Sequence, residues 1–141
     1  LRCFRGIDTL SAAGLCAEIG DFRRFEKPAR LSAYLGMVPS EQTSDTKRRQ
    51  GAITKAGSVH ARRLLVEAAW HYRSEPHVGE TLRRRQEGVD PRVVEVAWRC
   101  QRRLCTLKRR LAFERRKPSS LVNIAAAREL SCFLWEAAMV E

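Results

Sequence analysis

Near the C-terminal end, apolar side chains return every three or four residues: Val93, Ala97, Cys100, Leu104, Leu107 and Leu111. That period belongs to one face of an α-helix and cannot be laid along a strand. Asp90-Pro91 supplies an N-cap followed by a first-turn proline, and Pro118 ends the run. The seam lasts less than about three heptads, so it predicts packing within the chain rather than a coiled coil. A second apolar helix over 120–140, with Leu121, Ile124, Ala125, Leu130, Phe133, Leu134 and Ala137 directed to the core, is its natural partner. Two long helices joined by a short connection predict an antiparallel pair.

The rest of the chain repeats the pattern in shorter pieces. Asp8 or Thr9 caps a helix that Gly20 stops, with Leu10, Ala13, Ala17 and Ile19 as its apolar face. Pro28 opens a short helix using Leu31, Tyr34 and Leu35, and Gly36 closes it. Ser58 caps a helix reaching about residue 73, whose stripe is Ala61, Leu64, Leu65, Ala68, Ala69 and Tyr72. A weaker helical stretch lies between Pro76 and Gly88. No segment alternates with the strand period, and the predicted class is all-α: a compact multi-helix domain.

Residues 36–58 stand apart as a polar loop. They carry Thr43 and Ser44, then Lys47, Arg48, Arg49 and Lys55, with Gly51 and Gly57 as hinges. Hydroxyls, cations and permissive backbone beside a helix start suit a phosphate. The chain as a whole points the same way. Its 27 Lys and Arg outnumber 16 Asp and Glu, giving a formal charge of +11 that surface pairing cannot neutralise. Phosphate contacts by such cations release counterions and steer association, so nucleic acid is the expected partner. Aromatic residues are sparse and not interleaved with the clusters, which favours a duplex or structured RNA over a stacked single strand.

Other chemistries are poorly supported. His60, His71 and His77 have no partners at metal-ligand spacing. Five cysteines, odd in number and without a CxxC pair, read as small hydrophobes in a reducing cytosol. No apolar run is long enough to span a membrane, and no membrane partner is expected. The Gly6-Ile7-Asp8 turn could offer free amides to a phosphate, or be an ordinary helix start. A serine in a polar loop is a weak nucleophile without a base or metal. On residues alone, the loop is a basic, hydroxyl-bearing place for a phosphate.

RCFRGIDTLSAAGLCAEIGDFRRF, LSAYLGMVPSEQTS and GAITKAGSVHARRLLVEAAWHYR together carry a resemblance over most of the chain, densest over 1–73. They resemble the C-terminal domain of the insertion-sequence 110/116/902 transposases, DEDD-type recombinases guided by a bridge RNA. The resemblance implies that Ser44 attacks the DNA backbone to form a phosphoserine link before strand exchange. It implies that Lys47, Arg48, Arg49 and Lys55 hold the attacked phosphate, and that Arg62 and Arg63 position DNA or a structured guide RNA. Thr43 stands where the family often has another serine, Asp45 where it usually has glycine, and Ser58 where it usually has asparagine.

The same resemblance divides the chain into a partial helix-hairpin-helix (1–35), a serine loop (36–58) and a helical bundle (59–141). Mg²⁺ is expected in a RuvC-like acidic domain upstream of Leu1, with no cofactor in this chain. The chain then looks like a C-terminal fragment, inactive alone, of a bacterial nucleoid-associated enzyme that forms homo-oligomers. The alternatives are a non-catalytic nucleic-acid-binding remnant, or a dimerisation piece using the seam that ends at Leu111.

Overall fold

The computed structural model describes residues 1–44 and 47–140, with backbone only over 40–44 and 47–52. In chain order it contains α1 (Thr9–Ile19), a 3₁₀ turn (Phe22–Arg24), α2 (Pro28–Tyr34), strands β1 (Pro39–Ser44) and β2 (Lys47–Ile53), and α3 (Val59–Ala69). A second 3₁₀ turn (Trp70–Arg73), α4 (Glu80–Gln86), α5 (Pro91–Arg109), a π-helical turn (Arg110–Glu114) and α6 (Ser119–Ala138) complete it.

The helix boundaries follow local chemistry. Asp8, Ser58 and Asp90 each accept a first-turn backbone N–H, from Ser11, Ala61 and Arg92 respectively. Pro28 and Pro91 occupy the first helical position, where a missing N–H costs nothing. Gly20 stops α1 at a φ of 74°.

The helical class holds, and α5 packs against α6. Three cross-links fix that pair as antiparallel, because one partner advances along the chain as the other retreats. Arg99 bonds Glu136, Arg103 bonds Glu129 at 2.7 and 2.8 Å, and Lys108 bonds Asn123 at 2.7 Å. Ala97, Cys100 and Leu104 are buried, so the middle of the seam is spent inside the molecule and not offered to a second chain. The buried face is wider than the seam and also takes Val96, Gln101, Cys105 and Lys108. Other tethers reach α6: Ser32 Oγ on α2 lies 2.9 Å from Ser131 Oγ, and Trp135 donates its indole N–H to the Phe25 carbonyl at 2.8 Å.

Two helices bury only part of the expected face: Ile19 of α1 and Leu130, Leu134 and Ala137 of α6 point inward as expected, and the other positions differ. In α1 the buried residues are Leu15 and Ile19, whereas Leu10 is 84% exposed and Ala13 and Ala17 also face out. Almost every position of TLSAAGLCAEI tolerates burial, so its period is ambiguous; packing on α3 decides it. Gly14 permits that approach, since a Cβ there would lie 2.8 Å from a Leu64 methyl. In α6, Val122, Ala126, Leu130 and Leu134 fill the core, while Leu121, Ile124 and Ala125 turn toward the hairpin side.

The region over 36–58 contains an element the sequence pattern does not announce. β1 and β2 form an antiparallel hairpin in which Ser44 pairs with Lys47, Thr43 with Arg48 and Gln42 with Arg49, with a register irregularity between Pro39 and Glu41. Residues 40–51 contain no alternating apolar positions, so the strand period that would announce a hairpin is missing from the sequence, and the backbone pairing is what defines it.

Candidate functional site

The hairpin stands on a base made by two chain segments crossing at close range. Gly36, just after α2, has a φ of 72°, and a Cβ there would lie 2.2 Å from the Ala56 carbonyl oxygen. Gly57, just before α3, has a φ of 75°, and its Cβ would lie 2.2 Å from the Tyr34 carbonyl oxygen. Each segment needs a glycine because the other's backbone occupies the space. Two backbone bonds close the crossing, Thr54 N–H to the Val38 carbonyl and Lys55 N–H to the Gly36 carbonyl, each at 3.0 Å.

Arg62 completes the base. From the first turns of α3 it donates to the Leu35 carbonyl at 3.1 Å and also to the Ala56 carbonyl. Its guanidinium therefore touches both segments that carry the hairpin. Arg63, one residue on, is 67% exposed, and among the described residues its one ion pair is a long 3.8 Å contact with Glu67. The two neighbours thus differ: Arg62 is engaged by the protein, and Arg63 is open to a ligand. Lys55 is exposed and adopts the left-handed region at φ 56°. A groove of about 370 Å³ runs between the hairpin base (Met37, Pro39, Ile53, Lys55) and the first turns of α6, including Leu121 and Arg128.

Ser44 ends β1 and Lys47 begins β2, with Arg48 and Arg49 following on the same strand. The strand backbone therefore carries the candidate hydroxyl and three of the candidate cations on one hairpin. Their side chains, and the whole of Asp45 and Thr46, lie outside the described residues.

The Gly6-Ile7-Asp8 turn is differently used. Gly6 lets the chain pass close to α3, where a Cβ would lie 2.7 Å from the Ala68 carbonyl oxygen. The arginines nearby are partly occupied: Arg5 donates to the Glu75 carbonyl at 3.0 Å and to Gln101 at 3.2 Å, and Arg85 to the Ile7 carbonyl, while Arg85 Nε is buried with no hydrogen-bond partner among the described residues. Asp8 accepts the Ser11 N–H at 2.8 Å, a bond that holds its carboxyl below the ordinary range. A carboxylate at the helix start disfavours a phosphate in the same place. In this structure the turn packs against α3.

Among the basic clusters, Lys108 is not a surface residue. It is 6% exposed, and its ammonium donates to the Ala69 carbonyl and to Asn123, each at 2.7 Å. Burial pushes its pKa below the ordinary lysine value, and the charge of Arg73 adds to the effect. Only tertiary packing distinguishes it from Arg109 and Arg110 beside it. Cys3, Cys100 and Cys105 are buried as small hydrophobes, whereas Cys16 is exposed. Among the described residues no three His, Cys, Asp or Glu side chains converge as metal ligands. Among the described residues no helix is long and apolar enough to cross a membrane.

Fold and site together define a strongly basic helical domain that clamps a cationic, serine-bearing hairpin at its base. The chain belongs to the Transposase IS116/IS110/IS902 family, whose family model matches residues 1–82, covering α1 to the start of α4. It is 46% identical over 136 residues to "Putative transposase y4qE" of Sinorhizobium fredii, covering 96% of this chain and 34% of that protein. It is 30% identical over 119 residues to the transposase for insertion sequence element IS1533 of Leptospira borgpetersenii, covering 83% and 34%. With the transposase for insertion sequence element IS1111A of Coxiella burnetii it shares 36% identity over 64 residues, covering 45% and 18%. The chain thus spans about a third or less of the length of these relatives. No solved structure matches it.

Proposed function

We propose that this chain is the DNA-contacting, serine-bearing domain of a transposase, with Ser44 as the nucleophile of strand exchange. The observation that carries the reading is the placement of Ser44, Lys47, Arg48 and Arg49 on one hairpin in a family of transposases. Ser44 Oγ attacks a DNA phosphorus, forming an O–P bond and expelling a sugar hydroxyl that takes up a proton. The serine proton passes to a base. Attack by the hydroxyl of a second strand then reverses the step and releases Ser44. One phosphodiester is exchanged for another through a phosphoserine, so no nucleotide hydrolysis is required. The cations of β2, with Lys55, stabilise the charge on the attacked phosphate. Arg63 holds the flanking backbone, and Arg62 acts from behind by fixing the hairpin base.

The same reading includes Mg²⁺ on an acidic domain elsewhere in the full-length enzyme, a structured guide RNA and a homo-oligomer that brings two strands together. The segment preceding α1 would serve as half of a helix-hairpin-helix.

The test is a covalent-adduct assay on the full-length enzyme with labelled DNA. Ser44→Ala should abolish the protein–DNA adduct; a retained adduct would move the nucleophile elsewhere, Thr43 first. If Ser44→Ala leaves strand exchange untouched while charge reversal at Lys47, Arg48 and Arg49 weakens binding, the domain is a non-catalytic nucleic-acid module.

A further inference from the structure

The α5–α6 tip is built unlike the rest of the molecule. From residue 109 to residue 121 nothing is buried. A π-helical turn closes with the Arg115 N–H on the Arg110 carbonyl at 3.0 Å, and the Lys117 N–H caps the Leu111 carbonyl at 2.9 Å. Arg116, in between, adopts a left-handed φ of 48°, where glycine is the favoured residue. Phe113 is 78% exposed on this tip and lies between Lys108–Arg110 and Arg115–Lys117, so here, against the expectation from the sequence, an aromatic residue is interleaved with basic ones. Arg115, Arg116 and Lys117 are exposed and make no ion pair with a carboxylate among the described residues; Glu114 sits 4.0 Å from Arg110. An exposed phenylalanine and three unpaired cations contribute nothing to the core, and an arginine in the left-handed region works against stability. The tip's position adds to this. Ser120 and Leu121, at the start of α6, line the groove against Pro39, Ile53 and Lys55 of the hairpin base. Tip and hairpin therefore leave the molecule at the same end.

We infer that this tip is a second nucleic-acid contact, in which Arg115, Arg116 and Lys117 hold backbone phosphates while Phe113 lies against an unstacked base. The inference rests on the nucleic-acid partner of the proposed function, and it extends that partner's path from the serine hairpin along α6 to the tip. Cations of this kind supply salt-dependent affinity. An apolar ring beside them is a wedge or stacking surface wherever pairing is interrupted.

The chain is titrated with two DNA duplexes at several salt concentrations, one fully paired and one carrying a single unpaired fluorescent purine. Replacing Arg115, Arg116 and Lys117 together by Gln should lower the slope of log affinity against log salt by about two to three. Phe113→Ala should leave the slope unchanged, weaken the unpaired-base duplex about tenfold and abolish quenching of the purine. Arg116→Gly should weaken binding while its Tm is unchanged or raised, the combination a structural role would not give. With no tip side chain buried, all three variants should keep the wild-type fold by circular dichroism. Equal binding by wild type and tip variants overturns the inference. Failure of the wild type to bind either duplex overturns this inference together with the reading beneath it.

Discussion

The Arg62 guanidinium donates to the Leu35 carbonyl at 3.1 Å, joining the start of α3 to the end of α2. The two elements it joins carry the entering and leaving ends of the serine hairpin. Because Arg62 also bonds the Ala56 carbonyl, one side chain holds both ends. This makes Arg62 a positioning residue for the hairpin.

Arg62→Gln should therefore loosen the hairpin without unfolding the helices. Lost charged hydrogen bonds of this type cost about 1–3 kcal/mol. Hydrogen exchange should show the Thr54 and Lys55 amides losing protection while α5 and α6 amides keep theirs. Uniform loss across the chain would contradict this local role.

The glycine crossing makes a comparative prediction. Gly57 and Gly20 share a left-handed φ, 75° and 74°, yet a Cβ at Gly57 meets the Tyr34 carbonyl at 2.2 Å and one at Gly20 meets nothing within 4 Å. Gly20→Ala should cost only the conformational term, about 1–3 kcal/mol. Gly57→Ala should cost clearly more in chemical denaturation and should also disturb the hairpin amides.

Lys108 should make stability depend on pH in the alkaline range. Its folded-state pKa lies below the ordinary 10.5, so the unfolded chain keeps its proton to higher pH than the folded one. Stability should then rise with pH from the depressed folded pKa up to about the unfolded value. Lys108→Met should remove this rise, measured as the difference between the two stability–pH curves. At neutral pH the same substitution leaves the Ala69 carbonyl and Asn123 without their donor, at a cost of about 1–3 kcal/mol. Adding Asn123→Leu should recover part of that loss.

The exposed ion pair between Arg103 and Glu129 spans α5 and α6 with two bonds, yet both side chains are partly solvated. A double-mutant cycle to alanine should return a coupling of less than about 1 kcal/mol, shrinking further at high salt.

Sequence alone determined the helices and where most of them begin; the ends were less legible, since α3 gives way to a 3₁₀ turn after Ala69 and α5 to a π-helical turn after Arg109, short of residue 73 and Pro118. Asp8, Ser58, Asp90, Pro28 and Pro91 act within a turn of their own position, so their effect needs no knowledge of the fold. The excess of cations and the family motifs were equally legible, being properties of residue type and order. The hairpin was not, because backbone pairing leaves no mark on a polar stretch without apolar alternation. Nor was the whole inward face of α1: Ile19 was expected there, but Leu15 replaces Leu10 as its partner where the helix meets α3. Tertiary structure alone separated three arginines and lysines that read alike. It buried Lys108, set Arg62 to clamp the hairpin base and left Arg115 bare at the tip. Charge is written in the residue, but what the charge faces is decided by packing between segments distant in the chain.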